Sequence, residues 1–242
     1  MAMIKTDRLC KNFKDKKAVR DLSISIEKNE IYAFLGLNGA GKTTAIKMLN
    51  GLIRPTSGDA VIDGHRLSAD LDKIKAVSSV SPQETALSGK LTVYENIFMM
   101  ARLYGIGTAA AKQKTEQLIS SFKLEQYRNK PAAKLSGGYQ RRLSIAMALV
   151  SDPKILYLDE PTLGLDVIAR RELWQLIKSL REKMTVVLTT HYLEEVEALS
   201  DRIGIIKDGM LLFEGTSEQL YERAGVADIE EAFIKISGGD GQ

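Results

Sequence analysis

Apolar positions along this chain fall into two rhythms. Short runs with almost no polar interruption alternate with longer stretches in which apolar residues recur every three or four positions. "AVRDLSISIE" (18–27) alternates in period two and predicts a strand with one wet face. "IYAFLG" (31–36), "KILYLDE" (154–160) and "TVVLTTH" (185–191) are apolar along most of their length, which predicts strands buried on both faces. "KTTAIKMLNGL" (42–52) and "ARRELWQLIKSLREK" (169–183) carry the helical period, and Gly51 stands near the end of the first. "GDAVIDGH" holds a strand and then an Asp63-Gly64 turn, and Asp208-Gly209 splits "RIGIIKDGMLLFEG" (202–215) into a hairpin. Strand and helix alternating in this way predict an α/β fold with a mixed, largely parallel sheet.

The middle of the chain breaks the rhythm. From about 91 to 134 the pattern is mainly helical. "TVYENIFMMARLYG" opens with Thr92 as N-cap and Glu95 three residues on, a capping box, and Gly105 and Gly107 end it. "AAAKQKTEQLISSF" (109–122) predicts a second helix. We expect an inserted α-helical subdomain over approximately 84–135, within a single domain over 1–236, and a C-terminal tail over 237–242. Val93, Ile97, Met100 and Tyr104 share one helical face, with Phe98 and Met99 off it; such a stripe is either core or a docking wall.

Composition narrows the classes. With 242 residues, 44% hydrophobic and 27% charged, the chain has the make-up of a soluble globular protein with a substantial core. A net charge of +3 without a long basic run gives no reason to expect nucleic acid as a partner. The single cysteine, Cys10, excludes an intrachain disulfide and a cysteine zinc site, and points to a reducing, intracellular setting. The N-terminus lacks the apolar core of a signal peptide, and no run approaches the ~18 apolar residues of a membrane span. Any membrane attachment is therefore expected to come through a partner.

"GLNGAGKTT" (36–44) fits G-x-x-x-x-G-K-[ST] between a buried strand and a helix. Its glycines let backbone approach phosphate oxygens, Lys42 can reach the β- and γ-phosphates, and the Thr43 hydroxyl can ligate Mg²⁺. Asp159, at the end of a strand, supplies a carboxylate where such nucleotide sites hold the metal. Glu160 beside it either handles the attacking water or is a surface acid at a strand end. "LSGGYQRR" (135–142) is a second helix start of phosphate-binding character, with Ser136 as a candidate cap.

Taken together with "SPQ" (81–83), "ILYLDEPTLGLD" (155–166) and "TTH" (189–191), these motifs and their order make the chain similar to the nucleotide-binding subunits of the ATP-binding cassette family, over nearly its whole length. The resemblance implies a P-loop NTPase core with an antiparallel β subdomain and the helical insert. It implies that Gly36, Leu37, Asn38, Gly39, Ala40, Gly41, Lys42, Thr43 and Thr44 bind ATP, and that Thr43, Gln83 and Asp159 bind Mg²⁺. Glu160, His191, Gln83 and Lys42 would serve hydrolysis. Phe13 would stack on adenine where members more often carry Tyr; otherwise it is a core aromatic. Ser136, Gly137 and Gly138 would hold the γ-phosphate of ATP bound to a second, head-to-tail subunit, identical or not; the alternative or additional role for Ser136 is to cap its helix. Asp166 would lie in a loop that crosses that interface, or else cap the helix near Val167. Tyr139 and Asn29 depart from the usual Gln and Gly without touching these roles.

As a whole, the resemblance implies an ATP-hydrolysing subunit on the cytoplasmic face of a membrane, energising separate permease subunits, with export favoured over import. The alternative is a soluble ATPase of the same class, such as those of iron–sulfur cluster assembly.

Overall fold

A computed structural model describes residues 2–14 and 16–238. Two sheets face each other across one helix. The first is antiparallel and uses β1 (Ala2–Phe13), β2 (Lys16–Leu22) and β3 (Ser25–Glu27). After β4 (Ile31–Leu35) and α1 (Lys42–Leu49), the chain returns to this sheet with β5 (Ser57–Ile62) and β6 (His65–Arg66). Its order is β2-β1-β5-β6, with β3 also on β1.

Next come α2 (Leu71–Val77) and β7 (Ser78–Ser81), then the helical region with α3 (Val93–Leu103), α4 (Thr108–Ser121) and α5 (Gly137–Ala148). β8 (Ile155–Asp159), α6 (Val167–Leu180), β9 (Thr185–Thr190) and α7 (Leu193–Leu199) restore the α/β rhythm. The hairpin β10 (Arg202–Lys207) and β11 (Met210–Gly215) follows, then α8 (Ser217–Ala224) and α9 (Ile229–Ile236). The second sheet runs β11-β10-β4-β9-β8-β7, parallel except for β11 at its edge.

The uniformly apolar strands explain the layering. In β4, Ile31, Ala33 and Leu35 enter the core shared with the helical region and α5–α9, whereas Tyr32 and Phe34 enter the core between the sheets, against α1. β8 divides in the same way, Leu156 and Leu158 on one side and Ile155 and Tyr157 on the other. A strand that alternates between two dry faces has no polar positions to spare, which is why its sequence shows no alternation.

Several expectations change. The span 18–27 is two strands: Asp21 takes a left-handed φ of 45°, and the Thr6 hydroxyl accepts from the Ile24 N–H at 2.9 Å and donates to the Leu22 carbonyl at 2.7 Å. That hydroxyl stands in for ladder bonds where the strand kinks. β1, α2 and β7 were not expected at all. The Thr92–Glu95 capping box is present. The helical stripe is split between its two possibilities, with Val93 and Ile97 fully buried in the core while Met100 and Tyr104 line an open groove. Of the tail expected at 237–242, residues 239–242 lie outside the described residues.

Candidate functional site

The loop after β4 is fixed by close backbone approach. A Cβ on Gly36 would stand 2.2 Å from the Ile206 carbonyl oxygen. Gly41 has a φ of 111°, and a Cβ there would meet the Ala18 carbonyl oxygen at 2.4 Å. Both positions therefore exclude a side chain. The loop is drawn onto the β10–β11 turn, whose Gly209 N–H donates to Ala40 at 2.8 Å. α1 begins at Lys42, so its first N–H groups, which have no intrahelical acceptor, border the loop.

A cavity of about 410 Å³ opens here, lined by residues 38–44 of the loop and by Lys16, Ala18, Gln83, Glu160, Leu163 and His191. Lys42 is 4% exposed, and its Nζ donates to the carbonyls of Gly36 at 2.6 Å and Leu37 at 3.1 Å. Burial lowers its ammonium pKa below the usual 10.5, with Glu160 and Asp159 pulling the other way. Glu160 Oε1 lies 3.8 Å from that nitrogen and 3.2 Å from His191 Nδ1. One carboxyl thus sits between the cation and the imidazole.

Behind Lys42, the Thr43 hydroxyl donates to Asp159 Oδ1 at 2.9 Å, and the Thr189 hydroxyl donates to the same oxygen at 2.5 Å. Parallel pairing of β8 with β9 sets Asp159 opposite Thr189. Glu160 leaves the strand with φ 46°, an uncommon backbone conformation for a non-glycine residue that costs about 1–3 kcal/mol. Its N–H donates to both the carbonyl (3.1 Å) and the hydroxyl (3.0 Å) of Thr189, which holds the bend. The bend turns two consecutive carboxylates to different tasks, Asp159 toward Thr43 and Glu160 toward the cavity.

Thr43 and Asp159 offer hard oxygen ligands at one point, which fits a magnesium ion. Among the described residues no group of three or more His, Cys, Asp or Glu could hold a metal, so an ion here needs oxygens from phosphate and water as well.

Phe13 is 47% exposed, with Lys11 Nζ 5.1 Å from its ring centroid. It is therefore no core aromatic. It sits beside Lys16 in the β1–β2 pairing but does not itself line the cavity. Ser136, Gly137 and Gly138 also lie away from the cavity, at the start of α5. Ser136 occupies the N-cap position but makes no side-chain cap bond, so the capping role is not filled. A Cβ on Gly138 would press on Ala169 at 3.0 Å, which ties this loop to the start of α6. Asp166 caps α6, its carboxylate accepting from Ala169 at 2.9 Å.

One residue missed by the sequence reading joins these parts. Arg141, 5% exposed on α5, donates to the carbonyls of Pro82 at 2.6 Å, Gln83 at 2.7 Å and Glu160 at 3.4 Å. In the sequence it is one more charge on a polar helix.

The sequence profile of the ABC transporter family matches residues 19–163. The chain belongs to the ABC transporter family. Its fold is α/β with a mixed sheet, an antiparallel subdomain and helices, like that of an ATP-binding subunit of an ABC transporter. It is 41% identical over 229 residues to human phospholipid-transporting ATPase ABCA3, covering 93% of this chain and 13% of that protein. It is 38% identical over 218 residues to ABC transporter A family member 1 of Dictyostelium discoideum, covering 89% of this chain and 25% of that one. The chain thus spans between an eighth and a quarter of the length of these two relatives. Among solved structures, an ATP-binding subunit of an ABC transporter superposes with a TM-score of 0.85 at 27% identity, covering 97% of this chain and 99% of that one. The dimeric, post-hydrolysis ATP-binding cassette MJ0796, bound to ADP and Pi, superposes with a TM-score of 0.80 at 28% identity, covering 88% and 98%. Among the described residues no helix is long and apolar enough to cross a membrane.

Proposed function

We propose that this ABC domain hydrolyses ATP to ADP and phosphate at an interface between two cassette subunits, and that it energises export through membrane permease partners. The observation that carries this is the grouping of Lys42, Glu160 and His191 on one cavity above the Thr43–Asp159 pair, with Ser136–Gly138 facing elsewhere. The triphosphate lies along residues 36–44. Its charged oxygens are stronger acceptors than the Gly36 and Leu37 carbonyls and take over the Lys42 ammonium. Thr43, Asp159 and Gln83 would hold Mg²⁺, which when bound supplies charge neutralisation on the phosphates. Glu160 accepts the proton of the attacking water, and His191 orients the Glu160 carboxyl and contacts the γ-phosphate. Phe13, exposed at the cavity rim strand, stacks on the adenine. Ser136, Gly137 and Gly138 close the nucleotide of the second subunit.

The ABCA relatives favour transport, and the name of ABCA3 favours a lipid as cargo. A permease segment docks in the groove of about 550 Å³ lined by Leu52, Pro82, Ala86, Met100, Tyr104 and Met147. Met99 is not on that wall. In this setting the chain sits peripherally on the cytoplasmic side.

Glu160→Gln tests the reading. It should bind ATP as the wild type does, hydrolyse it about 10²- to 10⁴-fold more slowly and accumulate as a dimer on size exclusion. Wild-type turnover by this variant would overturn it.

A further inference from the structure

Glu195 is the third residue of α7, and it is fully buried. An acid in the first turn of a helix is ordinarily left at the surface, where the helix dipole favours it without desolvation. Here Oε1 accepts from Thr162 Oγ1 at 2.9 Å and from Trp174 Nε1 at 3.3 Å, while Oε2 has no hydrogen-bond partner. Thr162, itself fully buried, stands between Glu160 and Asp166; Trp174 lies on α6, the helix Asp166 caps; Glu195 follows His191 on its own segment. A single carboxyl oxygen therefore joins the two segments that leave the sheet at the ends of β8 and β9, plus the helix after the first.

We propose that Glu195 is a positioning residue for hydrolysis, holding the His191 segment and the Glu160–Asp166 segment as one unit so that His191 keeps its place on Glu160. The proposal rests on the hydrolytic roles given above to Glu160 and His191. Burial pushes the Glu195 carboxyl above its ordinary range, against the opposing influence of Thr190, Thr162, Trp174 and Arg170. Glutamine matches the carboxyl in size and shape, and its amide oxygen can accept both bonds that Oε1 accepts. Alanine can accept neither.

Trp174 is the only tryptophan in the chain, so the link carries its own reporter. The test is steady-state MgATP hydrolysis by the purified chain, with tryptophan emission read before and after MgATP. Glu195→Ala should lose about 10- to 100-fold in kcat with the KM for ATP held within about threefold, and should lose the MgATP-dependent change in emission. Glu195→Gln should recover kcat to within about threefold of wild type and restore that change. Thr162→Val cuts the link from the other side and should lower kcat in the same direction; it decides the matter if Glu195→Ala fails to fold. An unchanged kcat in Glu195→Ala or Thr162→Val, or a Glu195→Gln no better than Glu195→Ala, would overturn the proposal. Full turnover by Glu160→Gln would instead remove the hydrolytic reading beneath it.

Discussion

The chain carries two phosphate-type loops at helix starts, and they are built in opposite ways. The loop at 36–44 is supported from every side by its own chain: Gly36 against Ile206, Gly41 against Ala18, Ala40 bonded to Gly209, Lys42 beside Glu160. The loop at 136–138 is packed only from behind, with Gly138 against Ala169 and Gly137 near Leu165. Ser136 and Gly137 are exposed, and the Ser136 hydroxyl makes no cap bond. Glu160 and His191 line the cavity beside the first loop and Asp159 accepts from its Thr43, whereas Ser136, Gly137 and Gly138 do not line that cavity. A preorganised cradle binds alone, whereas a bare helix start contributes only when something charged is brought to it. The contrast is what a site shared between two subunits requires.

Complementation would break or confirm that contrast most sharply. Lys42→Ala should lose ATP binding, and Gly137→Glu should bind ATP yet lose about 10²- to 10³-fold in turnover, because a carboxylate then faces the phosphate it should stabilise. Neither homodimer has a working site. A mixed dimer has one site made of two damaged halves and one made of two intact halves. Mixing the two inactive proteins in equal amounts should therefore return about half the wild-type rate per mixed dimer, or about a quarter averaged over all dimers when pairing is random. A mixture as inactive as its components would mean that both loops serve the same nucleotide within one subunit.

How much of this was legible in the sequence depends on whether burial or spacing carried the signal. β4, β8 and β9 were legible because both faces are dry. β7, "SSVS", was not: its Ser81 is buried by a hydroxyl pair with Ser144 at 2.9 Å, a contact across 63 positions. β1 went unseen because Arg8, with φ 45°, and a register shift near Cys10 interrupt its alternation. Of the cavity lining, residues 38–44, Gln83, Glu160 and His191 were picked out through motif spacing, whereas Lys16, Ala18 and Leu163 were not. Arg141 and Glu195 were not, because a charged residue on an amphipathic helix looks solvated until tertiary packing covers it.

Arg141 gives the next largest effect, because it connects the two regions being compared. It rides on the helix that Ser136 opens, yet its donors hold Gln83 and Glu160 at the other site. Arg141→Lys keeps the charge and loses the fork. Losing two charge-assisted bonds from a buried group should cost about 3 kcal/mol, or roughly 10 °C in Tm for a chain of this length. Turnover should fall about tenfold, since the Gln83 and Glu160 backbones are both released. An unchanged Tm with normal turnover would show that the two regions are positioned independently.

The smallest effect separates the loops by pH. Burial lowers the Lys42 ammonium below 10.5, so the free site gives up its proton earlier than a solvated lysine would. A triphosphate needs the cation. Above the lowered pKa each binding event must take up a proton, and ATP affinity should fall by up to about tenfold per pH unit; below it the affinity should be flat. Folding stability has the opposite sign in the same window. The unfolded chain keeps the Lys42 proton up to about 10.5 while the folded one has released it, so this residue's contribution to stability rises with pH. Lys42→Arg, which does not titrate, should remove both trends. Ser136→Ala should remove neither, because Ser136, Gly137 and Gly138 carry no group that ionises. Isothermal titration of ATP between pH 7 and 10.5 would read the difference directly. A wild-type profile that stays flat across that range would place the Lys42 ammonium outside the phosphate contact, and with it the asymmetry between the two loops would lose its electrostatic half.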